Sequence, residues 1–344
     1  MRATVIGPPA AFARLAHGGD LSAARSLFPG AAEPFIDLST GINPEPYPIP
    51  ALDPELFQRL PQADTLRELC AAAAQAYAAP SPDHVVAAPG AQMLLPAVAS
   101  LLPPGRAAIL RPTYSEYARV ARVAGHRVAE AGDVGSLASA DLALVANPNN
   151  PDGRRSGKRE LMELAEALRG RGGLLVIDES FMDAAPDAAT LAGEVDRGAI
   201  VVLRSLGKFF GLAGLRLGFA VSAPELAARI AAWLGPWAVS GPAIAIGRAA
   251  LGDRAWAEAT RQALAGSARR LDSLLADAGL SVIGGTALFR LVRTDAAAEL
   301  FERLGRAGIL VRRFEEEPSW LRFGLPGPED AWRRLEAALA GLAT

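Results

Sequence analysis

Residues 205–218 read Ser-Leu-Gly-Lys-Phe-Phe-Gly-Leu-Ala-Gly-Leu-Arg-Leu-Gly. They set one serine, one lysine and one arginine among glycine and apolar residues. The chain has only two lysines, Lys158 and Lys208, against a large excess of arginine. Lys158 lies in a charged segment and reads as solvated. Lys208 lies beside Phe209, Phe210 and Leu212. Apolar surroundings drive an ammonium toward the neutral amine, which is the nucleophilic form. The chemistry this implies is a Schiff base with a carbonyl, a substrate's or a cofactor's.

Arg216 and Ser205 favour a phosphorylated cofactor, pyridoxal phosphate. A guanidinium holds phosphate bidentately and a hydroxyl adds a bond. Gly207, Gly211 and Gly214 allow backbone to approach a ligand. Gly90, Ala91 and Gln92 follow an apolar run and open a helix, whose free N–H groups suit phosphate. Asp178 closes another apolar run. It would pair with a protonated pyridine nitrogen, or ligate a metal or cap a helix. No histidine nearby supports a metal. Asn150 would bond a phenolic oxygen or serve only its turn. Tyr114 would stack on a flat ring or pack in the core. Arg322, between Leu321 and Phe323, would clamp a carboxylate at a domain crevice or form a surface ion pair. His17, beside Gly18 and Gly19, would bind an anion, while His84 and His126 read as structural.

Elements must bring these groups together. Apolar runs at 85–88, 107–110, 142–145, 174–177, 200–203 and 217–221 alternate with helical segments. That pattern predicts a parallel or mostly parallel sheet buried between helices, with ligands beyond the carboxyl ends of its strands. Residues 90–92, Asn150, Asp178 and Lys208 all fall at such ends. After Trp237 the pattern changes to a long helical region, short strands and two further helices, a smaller α+β domain. The expected divisions are 1–36 as an N-terminal segment packing with the small domain, 37–235 as the large domain and 236–344 as the small one.

With 344 residues, half of them apolar, the chain can bury a sizeable core in two domains. A net charge of −2 gives no case for nucleic acid or an anionic membrane. The uncharged run 230–247 nears the length of a membrane span, but Pro236, Pro242 and its glycines make it a buried junction into a core helix. The single cysteine, Cys70, excludes an intrachain disulfide and suits the cytoplasm. No basic start followed by an apolar core marks a signal peptide.

The sequence resembles the fold-type I pyridoxal-phosphate enzymes of the aspartate aminotransferase superfamily over nearly its whole length. The pieces, in order, are Pro89-Gly-Ala-Gln92, Pro112-Thr-Tyr114, Asn147-Pro-Asn-Asn-Pro-Asp-Gly153, Asp178-Glu-Ser-Phe181, Ser205-Leu-Gly-Lys208, Gly214-Leu-Arg-Leu-Gly218, Pro236-Trp237 and Leu321-Arg322. The resemblance implies a seven-stranded, mostly parallel sheet between helices, a smaller α+β domain and a homodimer. It makes Lys208 the Schiff-base lysine, Asp178 the ring-nitrogen partner, Asn150 the phenolic-oxygen donor and Tyr114 the stacking ring. Gly90, Ala91, Gln92, Ser205 and Arg216 would hold the cofactor phosphate, and Arg322 the substrate carboxylate. No metal site is implied. Two branches stand out, histidinol-phosphate aminotransferases and the L-threonine-O-3-phosphate decarboxylases of cobalamin biosynthesis. Residues 17–20, 39–44 and 178–183 resemble the decarboxylases. That branch implies a small phosphorylated amino-acid substrate, with His17, Gly18 and Asn43 among its binding residues. Two positions depart from the aminotransferase pattern. Phe181 and Leu60 stand where aminotransferases of this branch carry tyrosine.

Overall fold

The computed structural model describes residues 17–185 and 190–340. Residues 1–16 of the expected N-terminal segment lie outside the described residues. In chain order the elements are α1 (Leu21–Leu27), β1 (Ile36–Leu38), α2 (Glu55–Gln58), α3 (Ala63–Tyr77), β2 (Val85–Ala88), α4 (Ala91–Ala99), β3 (Arg106–Leu110), α5 (Glu116–Val123), β4 (Arg127–Ala131), β5 (Leu142–Ala146), α6 (Lys158–Arg169), β6 (Leu174–Asp178), β7 (Ile200–Ser205), β8 (Gly218–Ser222), α7 (Pro224–Leu234), α8 (Gly241–Gly252), α9 (Arg254–Asp277), β9 (Ser281–Thr286), β10 (Phe289–Arg293), α10 (Ala297–Arg306), β11 (Ile309–Arg313), β12 (Trp320–Gly324) and α11 (Glu329–Leu339). They form two compact units. One is Glu45–Leu264. The other joins the residues up to Pro44 with those from Ala265 onward.

The larger unit is an α/β domain around a seven-stranded sheet of order β2-β8-β7-β6-β5-β3-β4. β8 runs antiparallel to both neighbours, and the remaining pairs are parallel. The central strands are buried on both faces, which is why they read as unbroken apolar runs. Alternate residues serve opposite faces. Leu142, Leu144, Leu174, Val176, Val201 and Leu203 share one core with Leu94, Leu95 and Val98 of α4, Tyr117 and Val120 of α5, and Ile230 of α7. On the other face Phe219 of β8 meets Tyr77 of α3 edge-on, ring centres 5.7 Å apart.

In the smaller unit a five-stranded sheet has the order β1-β11-β12-β10-β9. β1 pairs with β11 in parallel, from Ile36 opposite Ile309 to Leu38 opposite Val311, and the other pairs are antiparallel. Leu300, Phe301 and Leu304 of α10 are buried, and Phe28 packs against Phe301 at 5.6 Å.

Both expected boundaries move. Residues 37–44 go with the smaller unit, because β1 completes that unit's sheet through β11. Residues 236–264 go with the larger unit. There α8 lies against α3 so closely that a Cβ on Gly247 would sit 2.4 Å from Leu217 and 3.0 Å from Leu69. The uncharged run 230–247 is broken at Gly235, between α7 and α8. Among the described residues no helix is long and apolar enough to cross a membrane.

The ends of β6 and β7 are tied by buried ions. Arg204 donates from Nη1 to Glu179 Oε2 at 2.9 Å and from Nη2 to Asp183, and lies over the Tyr77 ring at 4.2 Å. Glu179 also accepts Thr190 Oγ1–H and, at 2.9 Å, Leu191 N–H. Burial works against the Arg204 charge, but Asp183 and Glu179 outweigh it and hold its pKa above the usual value. Burial pushes the Glu179 carboxyl up, and its donors only partly offset this.

This packing makes two stability effects measurable. Gly247→Leu forces four carbons against Leu217 and Leu69 and lowers the unfolding free energy in urea titrations by about 1–3 kcal/mol. Arg204→Met strands two buried carboxyls and costs about 3–5 kcal/mol. That loss is larger at pH 8 than at pH 5. A carboxyl raised in the folded state favours folding at low pH, and the benefit fades as pH rises through its folded pKa. Denaturant midpoints of wild type and variant at the two pH values measure the difference.

Candidate active site

One edge of the larger sheet collects the candidate groups. β2, β3, β5, β6 and β7 all run toward it, and β8 starts from it. The segments leaving that edge carry Gly90 to Gln92 after β2, Tyr114 after β3, Asn150 after β5 and Lys208 after β7. Asp178 and Ser205 are the last residues of β6 and β7, and Arg216 stands just before β8.

An anion cup forms where β2 hands over to α4. Gly90, at φ 90°, is the N-cap of α4 and makes no side-chain cap bond. The first N–H groups of the helix, on Ala91 and Gln92, therefore face outward with the positive end of the helix dipole. A Cβ on Gly90 would lie 2.6 Å from Arg216 Nη2, and one on Gly218 would lie 2.3 Å from the Ala91 nitrogen. Only glycine lets the guanidinium and the helix start come this close. Arg216 adopts the left-handed conformation, φ 53° and ψ 62°, and its Nη1 donates to Ala213 O at 3.1 Å. Ser205, paired with Gly218 across the sheet, keeps its hydroxyl beside the loop, accepting Gly207 N–H at 3.2 Å.

Asp178 faces the side of the sheet that bears α5. Its Oδ2 accepts the Tyr117 hydroxyl at 2.8 Å and its Oδ1 accepts Ser180 N–H at 2.8 Å. Tyr114 donates to Gln92 Oε1 at 3.2 Å, Gln92 Nε2 donates to Glu116 at 3.0 Å, and Arg119 Nε donates to the same carboxylate at 2.7 Å. The Gln92 side chain is thus engaged with Tyr114 and Glu116, and its backbone N–H is the group that faces the cup.

In the turn after β5, Asn147 and Asn149 do the fastening. Asn147 exchanges bonds with Ser156. Asn149 accepts Thr113 Oγ1–H at 2.8 Å and donates to Pro112 O and Asp152. Asn150, the next residue, is half-buried. Lys208 Nζ lies over the Phe181 ring, 5.6 Å from its centre, and Phe181 is buried. Lys158 sits elsewhere, on α6, bonded to Glu194 at 2.7 Å.

The remaining expected residues belong to the smaller unit. Arg322 of β12 is buried, donates to Ser39 O at 2.7 Å and lies over the Phe289 ring at 5.0 Å. Ser39 Oγ accepts Gly19 N–H at 2.8 Å and donates to Asp37 Oδ1 at 2.5 Å. A Cβ on Gly18 would meet Ser39 O at 2.5 Å. Exposed His17 is therefore carried beside Ser39, the residue Arg322 also holds, and Asn43 is buried four positions on. Burial, then Arg312, pushes the Arg322 pKa down to about 9, with Asp37 pulling the other way.

Sequence reasoning missed Tyr117 and Arg312. Tyr117 stands three residues after Tyr114, a spacing that was available to read. Arg312 has no local signal, because its place opposite Arg322 comes from the β11–β12 register.

The Aminotransferase class I and II family model matches residues 33–339. A threonine-phosphate decarboxylase from Sinorhizobium sp is 44% identical over 338 residues, covering 95% of this chain and 98% of that protein. One from Pseudomonas aeruginosa is 42% identical over 330 residues, with the same coverage. The crystal structure of histidinol-phosphate aminotransferase from Sinorhizobium meliloti in complex with pyridoxal-5'-phosphate superposes with a TM-score of 0.80 at 22% identity, over 99% of this chain and 98% of that one. With this match over most of its length, the chain belongs to the aminotransferase class I and II family.

Proposed function

We propose that this chain is a pyridoxal-phosphate enzyme that decarboxylates L-threonine O-3-phosphate to (R)-1-aminopropan-2-ol O-2-phosphate, in cobalamin biosynthesis. The observation that carries the cofactor is the glycine-lined cup at the start of α4, on the sheet edge that also carries Lys208 and Asp178. The substrate rests on the two decarboxylase relatives.

The residues present fit the group. Ala91 and Gln92 N–H, Ser205 Oγ and Arg216 would hold its phosphate, with Gly90 and Gly218 leaving the room. Asp178 would hold a proton at its ring nitrogen, Asn150 would donate to its phenolic oxygen, and Tyr114 would cover a ring face. When bound, pyridoxal phosphate supplies an electron sink for the bond broken at the substrate's Cα. Lys208 would bind it covalently, and its amine would be the group that returns a proton to the substrate's Cα. Phe181 in place of tyrosine leaves an apolar ring beneath Lys208, without the hydroxyl that a tyrosine would bring.

In the smaller unit Arg322 would take the substrate carboxylate, and His17 and the Gly18 backbone the substrate phosphate, with Asn43 nearby. Arg312, directly opposite Arg322 on β11, adds a second guanidinium for an anion. We propose a homodimer, supported by the large exposed side chains Phe57, Leu60 and Trp237. Cytoplasmic residence is consistent with Cys70, a buried free thiol whose pKa burial pushes up to about 11.

Incubation with L-threonine phosphate is expected to release carbon dioxide without an amino acceptor. Lys208→Ala lowers that rate at least about a hundredfold, the low end of what a positioned proton donor contributes. Rapid glutamate formation from histidinol phosphate and 2-oxoglutarate, with no carbon dioxide from threonine phosphate, assigns an aminotransferase instead. Sedimentation at micromolar concentration is expected to show a dimer, and a fully active monomer contradicts that assembly.

A further inference from the structure

Tyr117 carries a hydroxyl deep in the core of the larger unit, where the residue is only 3% exposed. A buried hydroxyl is tolerated when it is bonded, and this one donates to Asp178 Oδ2 at 2.8 Å. Ser180 N–H takes Oδ1 at 2.8 Å, so the Asp178 carboxylate is gripped through both oxygens. Burial first, and the Asp178 charge second, hold the phenol pKa well above its ordinary value, so Tyr117 remains a donor at any working pH. Its ring has a second task. It meets Tyr114 edge-on, centres 5.6 Å apart and planes at 90°, on the residue whose hydroxyl is tied to Gln92.

We propose that Tyr117 is a positioning residue for this site, fixing the Asp178 carboxylate that the ring nitrogen of pyridoxal phosphate would meet and bracing Tyr114 for the ring face. This rests on the cofactor reading above. Tyr117 acts through its two neighbours. The donated O–H also draws off part of the negative charge on Asp178. With less charge on its oxygens, the carboxylate competes less strongly for the proton on the ring nitrogen and leaves it there. Tyr117, one layer behind, would thereby help keep the electron sink protonated.

The test uses the full-length holoenzyme loaded with pyridoxal phosphate labelled with 15N in the ring. Tyr117→Phe keeps the brace on Tyr114 and removes the hydroxyl. It is expected to bind the cofactor nearly as wild type, to leave KM for threonine phosphate nearly unchanged and to lower kcat about tenfold, the effect of one ordinary hydrogen bond. Its 15N resonance moves toward the unprotonated position. Tyr117→Leu removes the brace as well and additionally weakens cofactor binding. Incorporation of 3-fluorotyrosine at position 117 preserves size, strengthens the donor and moves the resonance the opposite way, which decides the matter if Tyr117→Phe does not fold. A resonance unmoved by the substitutions that fold overturns the proposal, as does a lowered Tm with unchanged kcat and resonance. Wild-type protein that takes up no pyridoxal phosphate overturns the cofactor reading instead, before any variant is compared.

Discussion

Successive residues of an extended strand point to opposite faces of the sheet, and at the ends of β6 and β7 this alternation sorts the charged groups of the larger unit. Asp178 continues the side of Leu174 and Val176, and Ser205 continues the side of Val201 and Leu203. Both face α4 and α5, where Tyr117 and the anion cup lie. Glu179 and Arg204, each one residue away, face the other side and find each other there. One residue of slip in either strand would exchange the two sets. Ligand-facing groups would enter the Tyr77 side and the structural ion pairs would face the site.

The ion cluster shows why register matters energetically. Arg204 is almost fully buried, and two carboxylates with a tyrosine ring surround it. Such a cluster contributes little net stability compared with apolar side chains of the same volume, because desolvation consumes most of the attraction. It does discriminate strongly against misalignment, since a shifted register leaves charges buried and unmatched. The segment so fastened, Glu179 to Asp183, is the one that sets Phe181 beneath Lys208. A network of buried charges behind the sheet thus fixes a side chain in front of it.

Much of this is legible from residue order because the determinants are local. Apolar runs ending in polar residues mark strand ends, and that pattern alone assigns Gly90 to Gln92, Asn150, Asp178 and Lys208 to one edge. The domain boundaries are less legible. β1 looks like the first strand of the larger sheet until its partner is known, and that partner, β11, pairs Ile309 with Ile36 from the far end of the chain. Likewise α8 belongs with α3 because of what Gly247 touches, which composition does not reveal. Tyr117 escapes sequence reasoning for a related cause. Its spacing from Tyr114 suggests a shared face, but its bond to Asp178 spans 61 positions.

The electrostatics of the smaller unit point in a complementary direction. Like charges opposite each other on neighbouring strands destabilise a sheet, yet Arg312 faces Arg322 across β11 and β12. Burial and that neighbour lower the Arg322 pKa, and the attraction of Asp37 does not restore it. The β11–β12 register that makes them neighbours also sets Arg322 against Ser39 O and the Phe289 ring, so its charge is met by a carbonyl oxygen and an aromatic face.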